Sequence, residues 1–261
     1  MTSLPFFQVD AFAERPLEGN QAAIMPLDRW LDDNIMQAIA AENNLSETGF
    51  TVPSESDDAD FDLRWFTPVA EVDMCGHATI AAGHVLMTGR PIRFATKSGI
   101  LTVSRHDDLL ELDLPAAELS EVREPDMCKA LGIAADTPAW LAAGCNDSAI
   151  VELADEAAVR AVQPDFAALA TVRRMAIVTA RGETETIVSR VFVPYLGIDE
   201  DAVTGSAHAA LVPYWAGRLG RNEFTALQAS RRSGRLHCRL DGERVILGGH
   251  CRTVIVGNFQ I

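Results

Sequence analysis

Two glycine turns carry the side chains best suited to chemistry. The first is Asp73-Met-Cys-Gly-His-Ala-Thr79; the second is Asp199-Glu-Asp-Ala-Val-Thr-Gly-Ser-Ala-His208. Each runs into an Ala-rich apolar segment, so each reads as a tight turn opening a buried helix. A helix that begins at Gly76 or Gly205 points its free N–H groups, and the positive end of its dipole, out of the turn. Such an end can cradle a carboxylate or a negative charge that develops during a reaction. His77 falls in the first helical turn, where the dipole favours a neutral ring able to donate or accept a hydrogen bond. Ser206 holds the matching place in the second turn, where a hydroxyl can also simply satisfy backbone donors. Asp201 precedes that helix, a position where acids are common for dipole reasons alone. Glu47 stands at a strand start among apolar residues. It is either a surface carboxylate or an acid–base group, because a carboxyl sealed from water is pushed toward neutrality and can both take and return a proton.

The elements that must hold these residues repeat along the chain. Arg190-Val-Phe-Val-Pro194 repeats Arg64-Trp-Phe-Thr-Pro68 at an offset of 126 (64 to 190), and the glycines lie 129 apart (76 to 205). Gly19-Asn20 is echoed by Cys145-Asn146, and Ser98-Gly99 by Ser233-Gly234. Four landmarks in one order predict two homologous halves, residues 1–117 and 118–261, related by internal duplication. Period-two runs predict strands at 6–12, 21–25, 45–52, 61–68, 92–96, 99–104 and 109–114 in the first half. An amphipathic helix is expected over 28–41, and a helical stretch stepped at Pro164 over 156–170. Strands outnumber helices, and each half holds one helix that is apolar all round. Such a helix must be buried. The expected fold is therefore α+β, with each half a curved, mostly antiparallel sheet around a central helix.

Composition narrows the class. The 261 residues are 48% hydrophobic and 23% charged, and mean hydropathy is +0.07, as for an ordinary globular chain. A net charge of −15 argues against a nucleic-acid partner. No apolar run nears the roughly 18 residues that span a bilayer. Five cysteines without tight spacing point to free thiols, and a reducing, cytoplasmic setting is expected. There is no C-x-x-C pair, and His77 and His84 have no carboxylate ligand beside them on their helix, so no metal is expected. Ser206 and His208 lack the Gly-x-Ser-x-Gly elbow of a nucleophilic serine.

Three motifs in order resemble one family. Asn44-Leu-Ser-Glu-Thr48, Trp65-Phe-Thr-Pro68 with Glu71-Val-Asp-Met-Cys-Gly-His-Ala-Thr79, and Asp199 to His208 are similar to the PhzF family of phenazine-biosynthesis-like isomerases. The resemblance covers nearly the whole chain. It implies a diaminopimelate-epimerase-like fold with the site in the cleft between two domains. It also implies an enzyme that uses no cofactor and is commonly a homodimer, and a final strand, near 252–261, that can return to the first domain. The family's proton-shuttling glutamate falls on Glu47, and its assisting residues on His77, Asp201 and Ser206. Its substrate-holding glycines fall on Gly76 and Gly205. Ser46, inside the first motif, is placed with them as substrate-binding. Asn20 has two readings, a reach to the substrate and a turn role. Departures are Gln21 and Ala202, each in place of a usual proline, and Ser233 in place of a usual glycine; none is expected to touch the proton chemistry.

The expected reaction removes a proton from a carbon beside an activating group of a small carboxylic acid, cyclic or amino-substituted, and returns it to another carbon. Two alternatives stand beside it: an amino-acid epimerase or racemase of the same fold, and a small-acid-binding protein without catalysis. Two-thiol racemases of this fold oppose one cysteine from each half. Here the counterpart of Cys75 is Thr204, whose hydroxyl cannot serve as a thiolate, so that route is disfavoured.

Overall fold

Gly76–Leu86 is a helix whose first eight residues are all buried. A helix with no wet face needs apolar neighbours on every side. It has them: strands Ser3–Ala11, Asn20–Pro26, Glu47–Pro53, Gly99–His106 and Cys251–Gln260 all pack against it. One helix can touch that many strands of a sheet only if the sheet curves around it. Full burial of a side chain such as Ile80 contributes about 1.5–3 kcal/mol. The approach is close enough that a Cβ added at Gly83 would meet Val103 Cγ1 at 2.6 Å.

This computed structural model describes residues 2–143 and 147–261, which form two compact units. Met1–Asp113 with Gly248–Ile261 form the first, and Leu114–Leu247 the second. The Cys145-Asn146 echo lies outside the described residues.

In the first unit, Ser3–Ala11 pairs antiparallel with both Asn20–Pro26 and the closing strand Cys251–Gln260. Asn20–Pro26 runs parallel to Glu47–Pro53, across a helix at Asp33–Asn43. Glu47–Pro53 pairs antiparallel with Phe61–Phe66, which runs parallel to Ile92–Thr96. The crossover of that second parallel pair is the Gly76–Leu86 helix. The remaining pairings of this unit are antiparallel.

The second unit has the same local grammar. Ser148–Glu152 is parallel to Met175–Arg181, and Ile187–Val193 is parallel to Glu223–Gln228 across the helix Gly205–Leu219. Residues Gly205–Val212 are all buried, as are Tyr214 and Trp215. Trp215 Nε1 donates to Thr179 Oγ1 at 3.0 Å, and Tyr214 OH to Glu152 Oε2 at 2.7 Å, which fixes the helix on those strands. Pro213 sits inside it and has no N–H for the Ala209 carbonyl. The Ala117 N–H takes that carbonyl at 3.2 Å.

Both units carry the same clasp. Arg64 donates to both oxygens of Glu71 at 2.7 and 2.9 Å. Arg190 donates to both oxygens of Glu200 at 2.7 and 3.0 Å. Each guanidinium also lies over the phenylalanine two residues on, Phe66 and Phe192.

The expected α+β class and the two glycine helix starts agree with the structure. Some boundaries do not. The first helix begins at Asp33 rather than Asp28, because Asp32 is its cap and accepts from the Asn34 N–H. The 156–170 stretch is two helices, Glu156–Ala161 and Phe166–Val172, with Pro164 in the break. Strands Glu71–Val72, Glu118–Arg123 and Ile198–Asp201 were not expected.

Candidate functional site

In the first unit three elements meet at one buried cluster. Glu47 opens its strand, Asn20 opens the neighbouring strand, and His77 is the second residue of the glycine helix. His77 Nε2 lies 2.9 Å from Glu47 Oε2. On the ring's other side, Asn20 Nδ2 lies 3.2 Å from His77 Nδ1. Ser46 Oγ donates to Asn20 Oδ1 at 3.1 Å. Asn20 is fully buried, and the His77 and Glu47 side chains are 6% and 14% exposed. Glu47 Oε2 is closed off from water and makes no well-aligned hydrogen bond, even to the nearby imidazole. It is an acceptor in reserve.

Burial alone would keep His77 neutral. The ring's pKa is nonetheless held well above its ordinary value by Cys75 and Glu47 beside it. Burial pushes the Cys75 thiol up to about 11, with Glu47 adding to the effect. A thiol that stays protonated supplies no charge at neutral pH, so the Glu47 carboxylate is the partner that sustains the imidazolium. The carboxylate at 2.9 Å works against the neutral ring that the helix dipole favours.

Glu47, Cys75 and His77 offer three metal-ligand atoms within 4.8 Å of one another. The sulfur, however, lies 3.6 Å from Nδ1 and 3.9 Å from Nε2. A metal on the lone pair of either nitrogen would draw its other ligands much nearer that nitrogen than the one across the ring. The trio is not preformed for a metal.

In the second unit Asp201 ends a strand and Gly205 opens the helix. Threonine is a good helix cap, yet Thr204 caps nothing with its side chain. Its hydroxyl donates to Asp201 Oδ2 at 2.6 Å and accepts from Gln228 Nε2 at 3.1 Å. Cys75 likewise makes no side-chain cap. Both glycine helices thus start without a side-chain cap on their first N–H groups. Ser206 is buried in the first turn. His208, two residues on, donates from Nδ1 to the Thr204 carbonyl at 2.8 Å, and burial pushes its pKa down to about 4.

Sequence reasoning missed Gln228. Its side chain accepts from the Thr204 N–H and donates to the Asp201 carbonyl, each at 2.8 Å, so one buried amide holds the whole turn. The available signal was a glutamine in phase with Phe224 and Ala226 on the buried side of its strand. One departure also proves closer to Asp201 than expected. The Ala202 N–H donates to Asp201 Oδ1 at 2.9 Å, a bond that a proline could not make. Ser233 adopts a left-handed φ of 61°, and its N–H donates to Ser230 Oγ, which in turn donates to the Ala202 carbonyl.

Asn20, Ser46, Glu47, Gly76 and His77 are therefore gathered in the first unit, and Asp201, Gly205 and Ser206 in the second. Residues 9–257 match the phenazine biosynthesis-like protein family, PhzC-PhzF. The chain belongs to that family. It is 49% identical to a Pseudomonas aeruginosa protein named as an uncharacterized isomerase, with 99% of each chain covered. The crystal structure of a PhzF family protein from Enterococcus faecalis is similar at a TM-score of 0.87 and 40% identity, over 100% of both chains. A hydroxyproline epimerase from Agrobacterium vitis shares the fold at a TM-score of 0.61 and 11% identity, covering 98% of this chain and 92% of that one. This PhzF-like chain is an isomerase, on a fold that it shares with an epimerase. Among its described residues no helix is long and apolar enough to cross a membrane.

Proposed function

We propose that this PhzF-like chain moves a proton between two carbons of a small carboxylic acid, cyclic or amino-substituted, with Glu47 taking and returning it and no cofactor involved. The observation that carries the reading is Glu47 Oε2, a carboxylate oxygen sealed from water and left without a well-aligned donor. A carboxylate oxygen in so dry a place can accept a proton from a substrate carbon. The electron pair left behind moves into the conjugated system beside the carbon. The same carboxyl then delivers its proton to another carbon on the same face. His77 supports the ionised state, because an imidazolium stabilises the carboxylate before the first transfer and after the second.

The uncapped starts at Gly76 and Gly205 are the proposed holders of the substrate carboxylate or of the developing charge, and Ser46 is a further proposed substrate-binding residue. Asp201 and Ser206 are the proposed assisting groups that orient polar atoms or relay protons. A cytoplasmic homodimer completes the proposal and rests on the family resemblance. A charge of −15 supports a small-molecule partner rather than nucleic acid.

The second reading, an epimerase working through a pair of bases, is disfavoured by the Cys75 thiol. A group pushed up to about 11 is a poor base at neutral pH. The test begins with a thermal-shift screen of cyclic and amino-substituted carboxylic acids, because a bound ligand raises stability by mass action. Hits are then incubated in D₂O and followed by NMR. Deuterium entering a carbon of a rearranged product supports the isomerase. Inversion at a single stereocentre supports the epimerase, and binding without exchange supports a non-catalytic role.

A further inference from the structure

We propose that Asn20 is a positioning residue whose side-chain amide rotates to serve either protonation state of His77, with the Ser46 hydroxyl completing the bond at its other end. This rests on the reading of Glu47 and His77 as a working pair. Three observations carry it. Asn20 is fully buried. Its amide spans two side chains, His77 Nδ1 at 3.2 Å and Ser46 Oγ at 3.1 Å. The ring's other nitrogen faces Glu47 at 2.9 Å.

With Asn20 Nδ2 toward the ring, the amide donates to an unprotonated Nδ1. The ring then carries its one proton on Nε2, toward Glu47. When the ring is charged, both nitrogens carry protons. Nδ1–H would then confront an N–H₂ group, donor against donor. Turning the amide by half a revolution presents Oδ1 to Nδ1–H and Nδ2 to Ser46. The oxygen and nitrogen ends have nearly the same size, so the swap needs no extra space. A serine hydroxyl donates as readily as it accepts, so Ser46 satisfies either end. The contacts to His77 Nδ1 and to Ser46 are thereby both kept in either state, which matters because an orphaned buried polar atom costs about 1–3 kcal/mol. Nothing is transferred through the amide; it only follows the ring.

An acidic or an apolar side chain of similar size cannot do this. Aspartate only accepts and would hold the ring charged. Leucine neither donates nor accepts. The titratable groups against His77 are Glu47, from its strand, and Cys75, from the turn before it. Asp10, on the adjacent strand, is committed to the Leu17 N–H at 2.7 Å. All three are retained in both variants.

The experiment follows the ring nitrogens of His77 by ¹⁵N NMR in substrate-free wild type, Asn20→Asp and Asn20→Leu, with His77→Gln as the assignment control. The expected result is that Asn20→Asp keeps the ring charged about one pH unit higher than wild type. Asn20→Leu should lose the charge at lower pH than wild type. In turnover assays kcat should fall at least about tenfold in both variants with little change in KM. The pH profile of kcat should move in opposite directions in the two variants. Folded variants that lose activity while His77 titrates as in wild type would overturn the proposal, leaving Asn20 a packing residue. Should Asn20→Leu not fold, Asn20→Asp and the wild-type tautomer carry the test. A neutral wild-type ring protonated on Nδ1 would also overturn the proposal. Because the titration needs no substrate, it stays readable even if Glu47→Gln proves active and the proton-shuttle reading fails.

Discussion

His77 Nε2 stands 2.9 Å from Glu47 Oε2, joining the first turn of a helix to the first residue of a strand. A carboxylate at that distance, with both partners largely buried, raises the pKa of the ring against the preference of a helix N-terminus for a neutral one.

The pair sets a pH dependence. His77 has a raised pKa in the fold, so its contribution to stability is complete below the ordinary histidine value of 6.5 and is lost as pH rises through the folded value. Glu47→Gln removes the charge that sustains it. By NMR, His77 of the variant should titrate lower than in wild type. The difference in Tm between the two proteins should be larger at pH 6 than at pH 9. Equal His77 titration in both would show that Glu47 is not the sustaining partner.

Cys75 touches His77 but is not expected to be a base. Its thiol is buried and pushed up to about 11 by burial. Cys75→Ala should lose less than about tenfold in kcat, far short of the 10²- to 10⁴-fold that a general base supplies. Alkylation of Cys75 at pH 8, followed by mass spectrometry of the folded protein, should be slow against an exposed model thiol. A dead Cys75→Ala enzyme would move the chemistry to the sulfur.

The Arg64 clasp is a stability element. Hydrogen bonds from Arg64, with help from Lys97, hold the Glu71 carboxyl down at about 2. A depressed carboxyl contributes stability that is complete above its ordinary value of 4.5 and is lost as pH falls toward 2. Glu71→Gln should cost about 1–3 kcal/mol in urea unfolding at pH 7. That penalty should shrink between pH 4.5 and pH 2. A penalty independent of pH would mean that the amide fails through packing and not through charge.

The helix starts at Gly76 and Gly205 were legible because a strand, a glycine turn and an apolar run are local signals. So were most of the strand positions. The links among chemical groups were not. Asn20 and His77 are 57 residues apart, and Thr204 and Gln228 are 24 apart, so no spacing rule joins them. Glu71–Val72 is two residues long, too short to show any alternation, yet it brings Glu71 to Arg64. The first helix started late because Asp28, Asp32 and Asp33 are all plausible start signals, and only the Asp32 bond to the Asn34 N–H decides among them. The influence of Glu47 on His77 was not legible for the same reason: the dipole is local, and the carboxylate that opposes it comes from another element.

The central claim is that one carboxylate both takes and returns the proton. Glu47→Gln preserves the size and polarity of the side chain and cannot accept a proton. The direct measurement is deuterium incorporation, in D₂O, into an acid that the wild type turns over, compared between wild type and Glu47→Gln under single-turnover conditions. The account predicts that exchange and kcat both fall at least about a hundredfold while the acid still raises the variant's Tm. A Glu47→Gln enzyme that exchanges the proton at the wild-type rate would contradict it.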